Sequence, residues 1–495
     1  MWKNLIRIMT VAVFVIFLYP LPVAAQSGGA DLPPVSQMEQ AAPISILSLP
    51  GSGWWTGFQV VNVGTDSATI DVTLYDANSS ASYQSVQKTV AINASYTFSP
   101  MTDADWVTPI PSGFIGSGVV NSTQPILAVV NEQNSLVGGG SAAASYRGVN
   151  SEQTATTLLF PLVKNDFGSS HKTTTFFIQN ASDTTTTIHA SFLIGSTEYT
   201  HDYTSVGGNR LQVVNPSDAG IPTGSVGSLT VTSNPVVALA GIYNEHQTTA
   251  TVATTLSATN GFRASDADTT LYAPVYKQNF NTAYSGIQVM NTSSSSSTTV
   301  TASYVPSTGG GPYTQDLPIG PLQSATFYNV AGWPAGYGSV TLTSSGGVPI
   351  IAIVNETKSS NGTNAVYSAF ADKNLTQCAS APLWKTRWSG SSTGQQTALV
   401  VQNVGGLSAT VDATFTMTSG GTGTFTPASR SVDSKASTLY GPGSFAGGPP
   451  AGTPAVGSVS ISATQKIAVL VQETTLPGFT TRDTLNYEAF SQTCP

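Results

Sequence analysis

Apolar and polar residues alternate along this chain in short runs, the period of half-buried β-strands. Thr69–Leu74 reads Thr-Ile-Asp-Val-Thr-Leu and turns Ile70, Val72 and Leu74 to one face. The same alternation returns at Thr187–Phe192, Thr298–Tyr304 and Ala409–Phe415, with Ile188, Ala190 and Phe192 inward in the second run. Another kind of run is short, apolar and closed by asparagine, ending at Asn62, Asn180, Asn291 and Asn403. A third kind follows a Pro-x-Gly turn and a Gly-Ser pair, and closes on Glu132, Glu245, Glu356 or Glu473. Each kind occurs four times, and no segment carries a helical period.

The spacing of these landmarks shows an array. Successive glutamates lie 113, 111 and 117 residues apart, and each asparagine stands 65 to 70 residues ahead of its glutamate. A period of this length is domain-sized, and too long for a propeller blade of about 40–50 residues. About seven short strands in roughly 110 residues fit an immunoglobulin-like sandwich. The chain therefore reads as all-β: four tandem Ig-like antiparallel β-sandwich domains after a signal peptide. The expected repeats are 42–150, 155–263, 268–373 and 378–495. Short linkers at Ser265–Thr269 and Asp372–Gln377 are expected to limit freedom between them.

The start of the chain changes the picture from a fold to a location. Lys3 and Arg7, the apolar core Ile8–Leu18 and the small residues Val23-Ala24-Ala25 read as an export signal over 1–25. Residues 26–41 are a flexible lead-in, and no later run is long enough to span a membrane. The 495 residues carry a net charge of −8 with only 8% charged side chains, and 47 Gly and 29 Pro mark many turns. Without a basic face, nucleic-acid binding is excluded as a function class. An extracellular or cell-surface location follows, with a surface, a glycan or another copy as the partner.

Several stretches together resemble a known family. They are Phe160-Pro-Leu-Val-Lys-Asn165, Gly286-Ile-Gln-Val-Met-Asn291, Ile110-Pro-Ser-Gly-Phe-Ile-Gly-Ser117 and Gln124-Pro-Ile-Leu-Ala-Val-Val-Asn-Glu132. The chain resembles the tandem Ig-like repeats of secreted bacterial surface proteins over almost all its mature length. That resemblance implies extracellular display and no catalytic residues. The first repeat departs by lacking Pro-x-x-Lys at its opening. The fourth departs with Lys466 for the proline and Gln472 for the asparagine.

Candidate chemistry is sparse, and no enzyme, cofactor or metal is expected. His171, His189, His201 and His246 all fall in the second repeat, without the spacing of a zinc or hydrolase motif. Asp103 with Asp105, and Asp266 with Asp268, are turn carboxylates too few for calcium. Trp54 and Trp55, in an expected loop, and Trp388 are candidates for stacking on sugars, with Tyr284 and Trp384 at related positions. A non-enzymatic structural or adhesion array is the first reading, and a carbohydrate-binding protein using these tryptophans is the alternative.

Two structural expectations remain. Lys164, Lys277 and Lys385 recur at the openings of repeats two to four, so each either pairs with its repeat's glutamate or leaves it to backbone donors. Cys378 and Cys494 flank the fourth repeat and are expected to form a disulfide in an oxidising compartment.

Overall fold

A computed structural model describes residues 42–46, 54–62, 64–92, 95–100, 103–135, 141–249, 252–333, 335–358, 363–386, 395–419, 423–441, 446–448, 454–475, 484–492 and 494. The expected signal peptide, the lead-in and Trp388 lie outside these residues. The described elements are β-strands and short 3-10 turns.

The second repeat shows the plan. Its eight strands are Leu158–Asn165, Lys172–Asn180, Thr186–Ile194, Thr197–Val206, Leu211–Val214, Ser225–Asn234, Leu239–Thr249 and Val252–Asn260. They form two antiparallel sheets, ordered first–sixth–third–fourth and fifth–second–seventh–eighth. The same order recurs in the other repeats, with small additions at the edges. In an immunoglobulin sandwich the opening strand shares a sheet with the second, and the last joins the third and sixth. Here the first strand has moved to the third and sixth, and the seventh to the second. The lysine strand and the glutamate strand lie in facing sheets.

The fourth strand is the one that sequence pattern missed. Thr197–Val206 lies at a sheet edge with nearly every side chain exposed or half exposed, so no apolar period marks it. The inward positions of the third strand behave as their alternation demands. Ile70, Val72 and Leu74 are fully buried, and so are Ile188, Ala190 and Phe192. Large aromatics fill the cores: Phe160 against Phe176 in the second repeat, Tyr276 against Trp333 in the third, and Trp384 against Phe415 in the fourth.

The Gly-Ser pairs have a steric cause. A Cβ on Gly116, Gly227, Gly338 or Gly457 would sit 2.0–2.2 Å from a carbonyl oxygen of the neighbouring third strand. Only glycine allows the sixth strand to cross there. Lys466 in place of proline also has a visible effect. Proline cannot donate to a ladder, and it interrupts the chain between sixth and seventh strands in the first three repeats. In the fourth, one strand runs unbroken over the 21 residues Ala455–Thr475 and joins both sheets into one. Lys466 itself reaches Asp372 at 3.2 Å, bracing the entry to the repeat.

The repeats are curled against one another. The eighth strands are Ser141–Arg147, Val252–Asn260, Thr363–Ser368 and Thr484–Glu488, and each packs on the next. Arg147 exchanges hydrogen bonds with Asn260, and the Ser368 amide donates to Glu488 at 2.8 Å. The fourth of these strands returns to the first, where Arg147 and Glu488 stand 3.7 Å apart. These four residues occupy one register position, facing residues three before each glutamate. Edges that would otherwise invite pairing between molecules therefore cover each other.

Candidate functional site

The recurrent glutamates are a polar feature that all four sandwiches share in their seventh strands. Each carboxylate is buried: Glu132 is 1% exposed, Glu245 1%, Glu356 8% and Glu473 5%. A buried charge demands a partner, and the exchanged first strand supplies one. Lys164 meets Glu245 at 2.6 Å, Lys277 meets Glu356 at 2.6 Å, and Lys385 meets Glu473 at 2.8 Å.

A buried hydroxyl completes each set. Thr56, Thr174, Ser285 and Thr397 lie directly across the ladder from the four glutamates. In the last three repeats this hydroxyl accepts the lysine's own backbone N–H at 3.0 Å. Sequence reading missed these residues, although each stands six before its landmark asparagine.

The same carboxylates also tie neighbouring repeats together. Asn244 donates to Glu132 at 2.7 Å, and Gln472 donates to Glu356 at 3.3 Å. Gln472 thus keeps the donor that asparagine would give. The joint between repeats two and three is more elaborate. Glu245 accepts Asn364 at 3.2 Å and a second lysine, Lys172, also at 3.2 Å. Lys172 in turn reaches Asn364 and Thr357 of the third repeat.

The carboxylates consequently differ in electrostatics. Burial alone would raise Glu245, but Lys164 and Lys172 outweigh it and hold its carboxyl at about 2, below the ordinary 4.5. Glu132 has no lysine at the opening of its repeat. Burial raises it from 4.5 to about 7, opposed only in part by hydrogen bonds from Asn244 and Tyr146. The signs of the stability effects are opposite. Glu245 contributes stability above pH 4.5 that is lost as pH falls toward 2. The folded chain keeps a proton on Glu132 after the unfolded chain has released it, so stability falls as pH rises from 4.5 to 7. At roughly 1.4 kcal/mol per unit, the Glu132 effect approaches about 3 kcal/mol. Chemical denaturation of Glu132→Gln should lack this decline, while below pH 4.5 variant and wild type should run together. An unchanged slope in the variant would assign the decline to another group.

The landmark asparagines act as clasps. Asn62, Asn180, Asn291 and Asn403 are all fully buried at the end of the second strand. Each Nδ2 donates to a carbonyl four or five residues ahead and to one near the end of a more distant strand. Each Oδ1 accepts the backbone N–H two residues on. One amide side chain thus shapes the turn and pins it to the facing sheet.

The other candidate residues are dispersed. His171 pairs with Asp166, His189 pairs with Asp202, His201 packs on the Tyr203 ring, and half-buried His246 lies 3.2 Å from Thr175. Among the described residues no three His, Cys, Asp or Glu side chains gather as metal ligands. Asp105 is buried and holds Lys88 and Tyr96, while Asp266 clamps Arg263. Trp54 and Trp55 correct the sequence reading. They begin the strand Trp54–Asn62 rather than a loop, because Asn134 and Gln133 extend the glutamate strand beside them. Trp384 is fully buried core, and Tyr284 lies within the strand Ala283–Asn291. Cys378 and Cys494 are joined, with Cα atoms 5.2 Å apart.

No protein-family model matches this chain, and no curated protein matches it. Some solved structures are weakly similar. The crystal structure of Thermotoga maritima 1070 is 21% identical over 22% of this chain and 93% of its own, with a TM-score of 0.19. A tetra-tandem repeat in the extending region of a large adhesion protein is 12% identical over 92% of this chain and 100% of its own, with a TM-score of 0.11. Likenesses this distant transfer no function. The functional reading rests on the residues of the chain itself.

Proposed function

We propose that this protein is a non-enzymatic, exported structural or adhesion protein, displayed outside the cell as an array of β-sandwiches. The observation that supports it is the use made of the recurring polar residues. A repeated activity would leave repeated polar groups open to a ligand. Here the glutamates, their lysines and the asparagines are held inside the sandwiches or in the joints. The disulfide supports an oxidising compartment, in line with export through residues 1–25.

Immuno-electron microscopy on expressing cells tests the reading. Label on the cell envelope or in the surrounding matrix is expected, and label confined to the cytoplasm would overturn it. Binding to a glycan array that disappears in the Trp54→Ala/Trp55→Ala variant would replace it with the carbohydrate-binding alternative.

A further inference from the structure

The three joints inside the chain share one arrangement, and each has a donor half and an acceptor half. On the donor side, the serine of the Gly-Ser pair reaches into the next repeat. Ser117 donates to the carbonyl of Asn209, Ser228 to that of Leu322, and Ser339 to that of Lys435, at 2.5–2.6 Å. The three acceptor residues all stand in the left-handed region, with φ of 60°, 55° and 65°. Such a conformation is costly for leucine and lysine, and here it aims one carbonyl at the neighbouring repeat. Gln179 and Gln402 reinforce two joints by donating to backbone carbonyls at both sides of the seam.

At the first joint Arg210 of the acceptor side also donates to the carbonyls of Asp76, Ser79, Ser80 and Ala81, and beside these polar contacts the acceptor side carries an apolar patch. Five residues before each glutamate stands a side chain that the preceding repeat covers: Ala240 is 4% exposed, Ile351 1% and Ala468 0%. Phe177, Leu211 and Ile242 of repeat two join the apolar cluster of repeat one in the same way.

Four repeats make three joints and leave two halves over. In repeat four the donor half is not covered by the described residues. Ser458 is partly exposed, whereas Ser117, Ser228 and Ser339 are 0–1% exposed. In repeat one the acceptor half is not covered by the described residues. Leu127, at the position of Ala240, Ile351 and Ala468, is 45% exposed. Its neighbours Gln59, Ser95 and Thr97 are the same residue types as Gln288, Ser324 and Thr326, which stand at these register positions in repeat three. That repeat does seat a donor. Repeats four and one approach each other chiefly through their eighth strands, at the Arg147–Glu488 contact, where Arg147 is 48% exposed.

We propose that these two end faces are complementary and that the donor face of repeat four docks on the acceptor face of repeat one in a second copy. The contact is heterologous, so it propagates head to tail. It goes beyond the proposed function and holds whatever surface the protein decorates. Ser380 replaces the Leu159 and Tyr272 of the inner donor faces, so the contact between chains is weaker than the inner joints and concentration-dependent.

Sedimentation velocity of the purified mature chain over a range of concentrations tests the proposal. Weight-average mass should at least double toward high concentration. Leu127→Arg damages only the acceptor half and Ser458→Arg only the donor half, and both positions are accessible enough to leave folding intact. Each variant alone should remain monomeric. Mixing them should restore a dimer and nothing longer, since one good half of each kind is left. A chain that is monomeric at every concentration, variants that still assemble, or a mixture that stays monomeric would each overturn the proposal.

Discussion

Lys385→Met is expected to destabilise the fourth repeat by about 3–5 kcal/mol, the range for stripping one partner from a buried ion pair. Lys385 and Glu473 have side chains only 8% and 7% exposed, so water cannot replace the missing ammonium. The methionine fits the apolar stem of the lysine, and the loss therefore reports the stranded carboxylate rather than a cavity. Two comparisons make the reading specific. Lys164→Met should cost less, because Glu245 keeps Lys172 at 3.2 Å. Lys385→Met combined with Glu473→Leu should recover much of the loss, since a hydrophobic replacement removes the uncompensated charge. Urea denaturation followed by far-ultraviolet circular dichroism measures all three. Equal losses in the Lys164 and Lys385 variants would contradict the electrostatic account.

Removing the disulfide is the second large change. Cys378 and Cys494 are 116 residues apart, so the bond closes the whole fourth repeat into a loop. The chain-entropy model gives about 4.7 kcal/mol for a loop of this size. Cys378 pairs across the ladder with Gln492, so the bond also holds the last strand, Phe490–Gln492, on the edge of the opening strand. The Cys378→Ser/Cys494→Ser variant should lower the unfolding midpoint of the fourth repeat and leave the first three nearly unchanged. Hydrogen exchange should show Phe490–Gln492 opening first. A midpoint unmoved by reduction would mean that the ladder alone fixes this end.

The entry to the third repeat is held by other contacts. The first three repeats have their final strands followed by the opening of another repeat, and Lys373, for example, ties into the carbonyls of Ser265 and Ala267.

The chain's own pattern determined its architecture: four all-β repeats, their inward residues, and the landmark asparagines and glutamates. Local steric and apolar preferences act over a few residues, and a fourfold repetition makes them visible above the noise of one copy. The lysine–glutamate pairing was legible only as one of two choices, because spacing does not say which sheet a strand joins. Only the tertiary structure decided that, by placing the first and seventh strands in facing sheets and setting Lys277 across the sandwich from Glu356. It also decided the fourth strand, which no apolar period announces, and the strand position of Trp54 and Trp55. Above all it decided how the repeats meet. Ser228 and Leu322 are 94 residues apart and join through a hydroxyl and a backbone carbonyl. A carbonyl is common to every residue, so no side-chain pattern can mark the one that a distant serine will find.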